Sequence, residues 1–577
     1  MTSESAAPTI QYTHAAEAPR ANPKSQIPNP RGVAPSAPRR GEPSPPAGLQ
    51  GERLCDLGFG FWDSGWGAVK TEHVGYEKLR GHYPGLFVSY CLDEPRSQKF
   101  FAIRYRDEKA LLERAKRAAD VRVEKSLIET LRRYHYDHGS PSESLAAIEK
   151  LARGAAAVVT GQQPSVGWGP LYNFHKAQAA LRFAQGIEAR GVPCVAIFWN
   201  HSDDVRGGDS IAFPDRENRV KEIPLPPGEP GVPLYEAGSP EALRLFAAAA
   251  AEGLPATEFS PWLTEQIKAA HRGSIAESFT RSLLNVLGPY GLIVVEPRHL
   301  EGERSQRFFA EHLADPDRLT KAVEAGRQAV ISEQFEDHLG REIGLDLFVV
   351  RNGRRVRLEQ PGPVQGRLSA GVALRPLLQD TMLPTCAYVG GPSEVGYQAE
   401  VLPAYRAFGI EPPVVFPRVT ATLLEPKIAK VRERAGLSSA DRLFDSEAQL
   451  GPLFVRQEED VAGELEKLPD RLMSEVGELM KRLQGVPSMS KAHEKTGLKV
   501  REALEALAAR VREEQSRQDS TGRGLLTKLM THVRPQGKMQ ERVFTPLYYA
   551  SLFGPSFFPK LLGTLDPFVF SHQVISI

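Results

Sequence analysis

The stretch from Ala156 to Trp199 constrains the fold more than any other part of the chain. A short apolar run, Ala156-Ala157-Val158-Val159-Thr160, meets a glycine-rich turn, then one helical stripe, then a second apolar run over residues 194–199. A continuous apolar run closed by glycine reads as a strand buried on both faces, as in a parallel sheet. Leu171, Phe174, Ala177, Leu181, Ala184 and Ile187 recur at helical spacing and stop near Gly191. Strand, turn, helix, strand is the unit of a doubly wound α/β sheet, whose ligands sit beyond the carboxyl ends of the strands. Residues 292–295 and 413–416 read as further buried strands. The α/β region therefore extends to about residue 435, with inserts such as the Pro-, Gly- and Ala-rich segment 215–260.

A chain of 577 residues is too long for one compact core. Residues 1–50 hold ten prolines and too few apolar side chains to offset the entropy of ordering, so a disordered tail is expected there. The core is expected over 51–440, a helical hairpin over 441–530, and a segment returning to the core over 531–577. In the hairpin, Leu465, Leu468, Leu472, Val476, Leu479 and Leu483 recur at three-to-four spacing, as do Val500, Leu504, Leu507 and Val511 after a break at Gly485-Val486-Pro487. Such a pattern predicts an antiparallel coiled coil. One helix pair leaves apolar edge uncovered, so homodimerisation is expected.

With 72 basic and 71 acidic side chains, no bulk charge draws the chain to nucleic acid or membrane. No apolar run reaches the roughly 18 residues of a membrane span, and the N-terminus lacks the pattern of a secretory signal. The four cysteines form no CxxC pair. A soluble, cytoplasmic protein with reduced thiols is expected.

Three polar clusters carry candidate chemistry. The turn T-G-Q-Q-P-S-V-G-W-G-P-L-Y contains Thr160, Gly161, Gln162, Gln163, Gly169 and Tyr172, with Lys176 one helical turn on. Glycines there permit close backbone approach, and the following helix N-terminus favours an anion such as phosphate or carboxylate. Tight turns also need glycine without any ligand, and Lys176 taken alone reads as a solvated helix lysine. The second strand ends in Trp199-Asn200-His201-Ser202-Asp203-Asp204, where His201 suits proton transfer and either aspartate suits orienting an amine or binding a metal. A strand-end aspartate also serves as a turn cap. The third cluster, residues 374–397, holds Arg375, Gln379, Asp380, Tyr388, Gly390, Gly391, Glu394 and Tyr397. Arg375 suits a carboxylate fork, or an internal pair with an aspartate. Gln540, Glu541 and Arg542 read as structural ties. No Walker, HExxH or GxSxG motif is present.

Taken together, VTGQQP with GPLYNFHKA, the strand ending W-x-x-S, LRPLLQD-x-x-LPT-x-AYVGGP-x-E-x-x-Y, and GKMQERV with a terminal HQV resemble the bacillithiol-biosynthesis cysteine ligase family. The resemblance spans about residues 55–577. It implies a Rossmann-like core related to class I aminoacyl-tRNA synthetases and a coiled coil used for dimerisation. It also implies that the chain joins the carboxylate of cysteine to the amine of glucosaminyl-malate. A free carboxylate is a poor electrophile, so ATP is the expected co-substrate; no metal set is assigned. Under this reading Gly161–Gly169 hold phosphates, Arg375 steadies a substrate carboxylate, and Asp203 or Asp204 orients the amine, with His201 beside them.

One segment departs from the family. Where members read S-E-D-H-D, this chain has Ser202-Asp203-Asp204-Val205-Arg206. Loss of that histidine leaves open a second reading, a non-catalytic or repurposed homologue that binds ligand as a scaffold or regulatory protein. A purely structural coiled-coil protein would leave the polar strand ends unexplained.

Overall fold

The computed structural model describes residues 69–577, apart from 341, 455–459 and 483–486. The tail expected over 1–50 and the apolar positions near Leu483 lie outside the described residues. Strands are numbered in chain order, and the first, β1 (Lys70–Val74), pairs with the last of the chain. The sheet that positions the site is built from β2 (Ala156–Gln162) and β3 (Cys194–Asn200), which are parallel in the register Ala156↔Cys194 to Gln162↔Asn200. All of β3 and nearly all of β2 is buried, as expected for strands covered on both faces.

Between β3 and the next core strand, the chain forms a hairpin of β4 (Ser210–Pro214) and β5 (Val220–Pro224) followed by helices, so the insert expected at 215–260 begins slightly earlier. Then β6 (Leu292–Val295) adds to the outer side of β3. A second insert, not anticipated from sequence, is an antiparallel sheet of β7 (Leu347–Arg351), β8 (Arg354–Leu358) and β9 (Arg367–Ala370) in the order β8-β7-β9. The chain returns to the core through β10 (Thr385–Gly390) and β11 (Val414–Pro417). The resulting order, β11-β10-β2-β3-β6, is parallel throughout. The strand order reverses between β2 and β10, and that is where an open parallel sheet offers a crevice. Beside it, β12 (Thr420–Leu424) and β13 (His572–Ser576) complete a three-stranded sheet with β1.

The predicted hairpin is formed by the helices Val461–Met480 and Pro487–Val533. They are antiparallel: Arg501 meets Asp470, Arg512 meets Glu466, and His493 Nε2 donates to the Met473 carbonyl at 3.2 Å. The packed stripe differs from the predicted one on the first helix. Ala462 and Pro469 are buried and Leu465, Leu468 and Met473 half-buried, whereas Leu472, Val476 and Leu479 are exposed, Leu479 at 58 %. Apolar side chains occupy both sides of this helix, so spacing alone could not choose which side meets the partner helix.

Several buried histidines are kept neutral by the core. Burial pushes His135, His271 and His299 down to about 4, and His572 to about 3, from an ordinary 6.5. The unfolded chain takes up protons near pH 6.5 that the folded chain refuses until about pH 4, so stability is lost as pH falls through this window. Thermal melting from pH 7 to 4 is expected to show a steep drop in midpoint below about pH 6.5; a flat profile would contradict it.

Candidate functional site

The turn after β2 is packed more tightly than a ligand loop needs to be. Thr160 Oγ1 donates to the Val389 carbonyl at 2.9 Å, binding β2 to β10. A Cβ on Gly161 would lie 2.6 Å from the Trp199 carbonyl oxygen and 2.8 Å from His201 Nε2. Gly169 has φ +60, and a Cβ there would meet Ser165 and Asn173. The glycines thus answer to packing by the protein itself. At the start of the helix Tyr172–Ala189, the Leu171 N–H donates to the Phe544 carbonyl at 2.8 Å, so part of the helix N-terminus is already used.

Lys176 is not a solvated lysine. It is 1 % exposed, and its ammonium donates to the Gly161 carbonyl, to Gln162 Oε1 at 3.0 Å and to Glu394 Oε1 at 2.8 Å. Burial lowers its pKa, and Glu394 opposes that. The Glu394 carboxylate also accepts from Tyr388 Oη at 3.0 Å and from the Gly391 N–H at 2.6 Å, capping the helix Pro392–Phe408. Lys176 and Glu394 therefore bridge the crevice between β2 and β10, with Tyr388 buried and Tyr397 partly buried beside them, both held in their neutral forms. Gly390 follows at the strand end.

At the end of β3, two aspartates meet three arginines. Arg367 grips Asp203 with two hydrogen bonds of 2.9 and 2.6 Å and also touches Tyr235 Oη. Asp204 accepts from Arg375 at 2.6 Å, Arg355 at 3.1 Å and Gln163 Nε2 at 3.1 Å. Burial alone would raise the Asp203 pKa, but the Arg367 fork outweighs it and the pKa is lowered. Arg375 also bonds to His201 Nδ1. Burial first, then the Arg375 charge, drives the His201 pKa far down, so the ring is neutral with its proton on Nε2. Trp199 and Ser202 are fully buried beside these groups.

Gln379 and Asp380 do not join them. They lie in the last turn of the helix Leu374–Met382, where Gln379 Nε2 and Tyr405 Oη both donate to Asp380, next to the amino end of β10. Arg375 is in the first turn of the same helix, so the two ends face opposite edges of the sheet. The residues missed in the sequence are Arg355 and Arg367. They arrive from β8 and β9, and nothing local marks an arginine in a two-faced hairpin as a partner for a distant strand end.

In front of this knot opens a cleft of about 390 Å³ lined by Gln162, Gln163, Tyr172, Arg206, Lys538 and Arg542 among others. Arg206, Lys538 and Arg542 are exposed and make no ion pair among the described residues. Gln540 and Glu541 are buried ties, as expected, but Arg542 faces this cleft. Among the described residues no group of three or more His, Cys, Asp or Glu side chains could hold a metal ion, and no helix is long and apolar enough to cross a membrane.

Residues 70–366 and 364–419 match the family model described as the bacillithiol biosynthesis BshC N-terminal Rossmann-like domain, and 421–577 match the BshC C-terminal coiled-coil domain. The chain belongs to the BshC family. A relative named "Putative cysteine ligase BshC" from Heliobacterium modesticaldum is 30 % identical over 86 % of this chain and 99 % of its own. Another of the same name from Salinibacter ruber is 28 % identical over 86 % and 97 %. A solved structure titled "putative arginyl t-RNA synthetase" from Campylobacter jejuni aligns at 9 % identity over 73 % of this chain and 98 % of that one, with a TM-score of 0.19. That score is too low to argue from, and the Rossmann-like character of this BshC chain rests on its own five-stranded parallel sheet and the family model.

In this BshC chain the shortened carboxylate Asp203 is held by Arg367, while Val205 and Arg206 turn outward. Replacing Arg375 with Gln removes the charge nearest the imidazole, and the His201 pKa is expected to rise. An NMR titration of the His201 ring in both proteins reads this directly; an unchanged value would show that burial alone sets it.

Proposed function

We propose that this BshC protein joins the carboxylate of cysteine to the amine of glucosaminyl-malate, with ATP activating the carboxylate. The observation that carries this reading is the cleft beyond β2, where Arg206, Lys538 and Arg542 converge on Gln162, Gln163 and Tyr172 and outnumber Glu222, the acidic side chain of the lining. Such a surface suits the phosphates of a nucleotide or the carboxylates of the acceptor. ATP converts the poor electrophile into an acyl phosphate with loss of ADP, or an acyl adenylate with loss of pyrophosphate, and attack by the amine then forms the amide and expels phosphate or AMP. Asp204 stands directly behind the cleft through its hydrogen bond from Gln163, so it is the carboxylate best placed to orient that amine. Arg375 acts by holding Asp204 and His201 rather than by meeting substrate.

One observation favours the alternative of a binding protein without turnover. Asp203 is gripped by Arg367, which holds its pKa below the ordinary value, and a carboxylate so stabilised is a weak base. Incubation with cysteine, ATP and glucosaminyl-malate, followed by mass spectrometry, separates the two. Amide product supports the ligase; nucleotide binding without product supports the alternative. With Lys538 and Arg542 both changed to Ala, pyrophosphate affinity is expected to fall at least about tenfold, with a weaker dependence on salt. Unchanged affinity would remove the cleft from the proposal.

The coiled coil is proposed to pair with a second copy. Leu472, Leu479, Leu498 and Leu507 are between 39 % and 61 % exposed on its outer faces, a row that a single chain leaves in water. Sedimentation is expected to give a dimer that Leu479→Lys with Leu498→Lys converts to a folded monomer.

A further inference from the structure

Behind the same turn lies a second cavity of about 310 Å³, walled by Trp168, Trp262, Ile267, Leu547 and Phe558. Its volume is within the range of small-molecule sites. It differs from the cleft in one respect: none of its lining residues is Asp, Glu, Lys or Arg. The one titratable ring among them that could charge near neutrality, His271, has both nitrogens engaged. It accepts from the Gly167 N–H at 2.9 Å and bonds to the Ile267 carbonyl at 2.6 Å, and burial holds its pKa at about 4. An ionic ligand would lose its hydration there with no counter-charge in return, which excludes ATP, cysteine and any malate conjugate. The rim supplies neutral polarity instead. Gln266 and Asn285 are exposed, and their amides make no hydrogen bond among the described residues.

The cavity also touches a part of the chain that the cleft uses. Gly167 and Trp168 are at φ +53 and +73, and for tryptophan this left-handed conformation is uncommon and carries strain. The pair forms the back of the turn whose front residues, Ser165, Pro170 and Tyr172, line the cleft. The turn is held at its back by His271 and by Thr545 Oγ1, which donates to the Gly167 carbonyl at 2.8 Å. Trp168 itself stacks on Phe558, with ring centroids 5.5 Å apart.

We infer that this cavity is a regulatory site for an uncharged, planar, largely apolar small molecule with one amide-like hydrogen-bonding edge, which acts on the cleft by bearing on Gly167 and Trp168. Binding in the cavity stands on its own lining; the coupling rests on the reading of the cleft as an anion site, and the two are measured separately.

The probe is 2-naphthamide, with 2-naphthoate as an anion of the same frame, titrated calorimetrically into the full-length protein. One site per chain is expected for the amide, with the naphthoate at least about tenfold weaker. Val286→Trp, at the partly exposed edge of the cavity, is expected to weaken the amide at least about tenfold while leaving the melting temperature and pyrophosphate binding unchanged. Val286→Phe should give an intermediate loss, which guards against a folding defect in the larger variant. No binding of the amide, equal binding of the naphthoate, or full binding by a folded Val286→Trp protein would overturn the site. For the coupling, saturating 2-naphthamide is expected to shift pyrophosphate affinity by about fivefold, and pyrophosphate should shift the amide by the same factor. Pyrophosphate that binds with the same affinity with and without the amide overturns the coupling; pyrophosphate that does not bind at all overturns the anion cleft instead.

Discussion

Glu541 keeps a negative charge where no water reaches it. Its side chain is fully buried, 2.7 Å from Arg418 Nη2 and 3.1 Å from His175 Nδ1, and it also accepts from the Ala421 N–H and Tyr83 Oη. Burial by itself would push the carboxyl pKa up, but these partners hold it far below the usual range. Four parts of the chain meet at this one group: the segment before the first core strand, the helix after β2, the link from β11 to β12, and the C-terminal run. Removing one partner of such a pair strands a buried charge, at about 3–5 kcal/mol. The C-terminal segment can bring Lys538 and Arg542 to the cleft because Glu541, between them, is anchored inside.

The same logic of paired charge runs through the site. Lys176 with Glu394 closes the crevice where the strand order reverses, and three arginines neutralise the two aspartates at the end of β3. What remains open to a ligand is the positively charged mouth in front of these pairs. The groups with the strongest appearance of catalytic residues in the sequence are thus mostly a rigid backing, and the free charges are on loops around it. Rigid support with mobile or exposed contacts is how binding sites are commonly divided between scaffold and loop.

Much of the core was legible because parallel strands must be apolar on both faces. Ala156–Gln162, Cys194–Asn200, Leu292–Val295 and Val414–Pro417 all stand out as short apolar runs, and each is a strand. The antiparallel insert over Leu347–Ala370 was not legible, since one-sided strands carrying arginines look like polar loop. The hairpin helices were legible in length and pairing. Their register was not, because Leu465 and Leu472 both satisfy an apolar pattern while Leu465 is half-buried and Leu472 exposed.

From its sequence alone, this chain determined its class of fold, its family and the places where polar groups gather at strand ends, because those follow from local periodicity and from motif order. Only the tertiary structure decided which of those groups are free. Lys176 became a buried partner of Glu394, 218 residues away, and Arg367 became the partner of Asp203, 164 residues away. Charge pairing over such separations is set by how the inserts fold back onto the sheet, and no local pattern records it. The turn that first marked the chain is therefore the middle of the site rather than its reactive edge, packed between a charged cleft on one side and an uncharged cavity on the other.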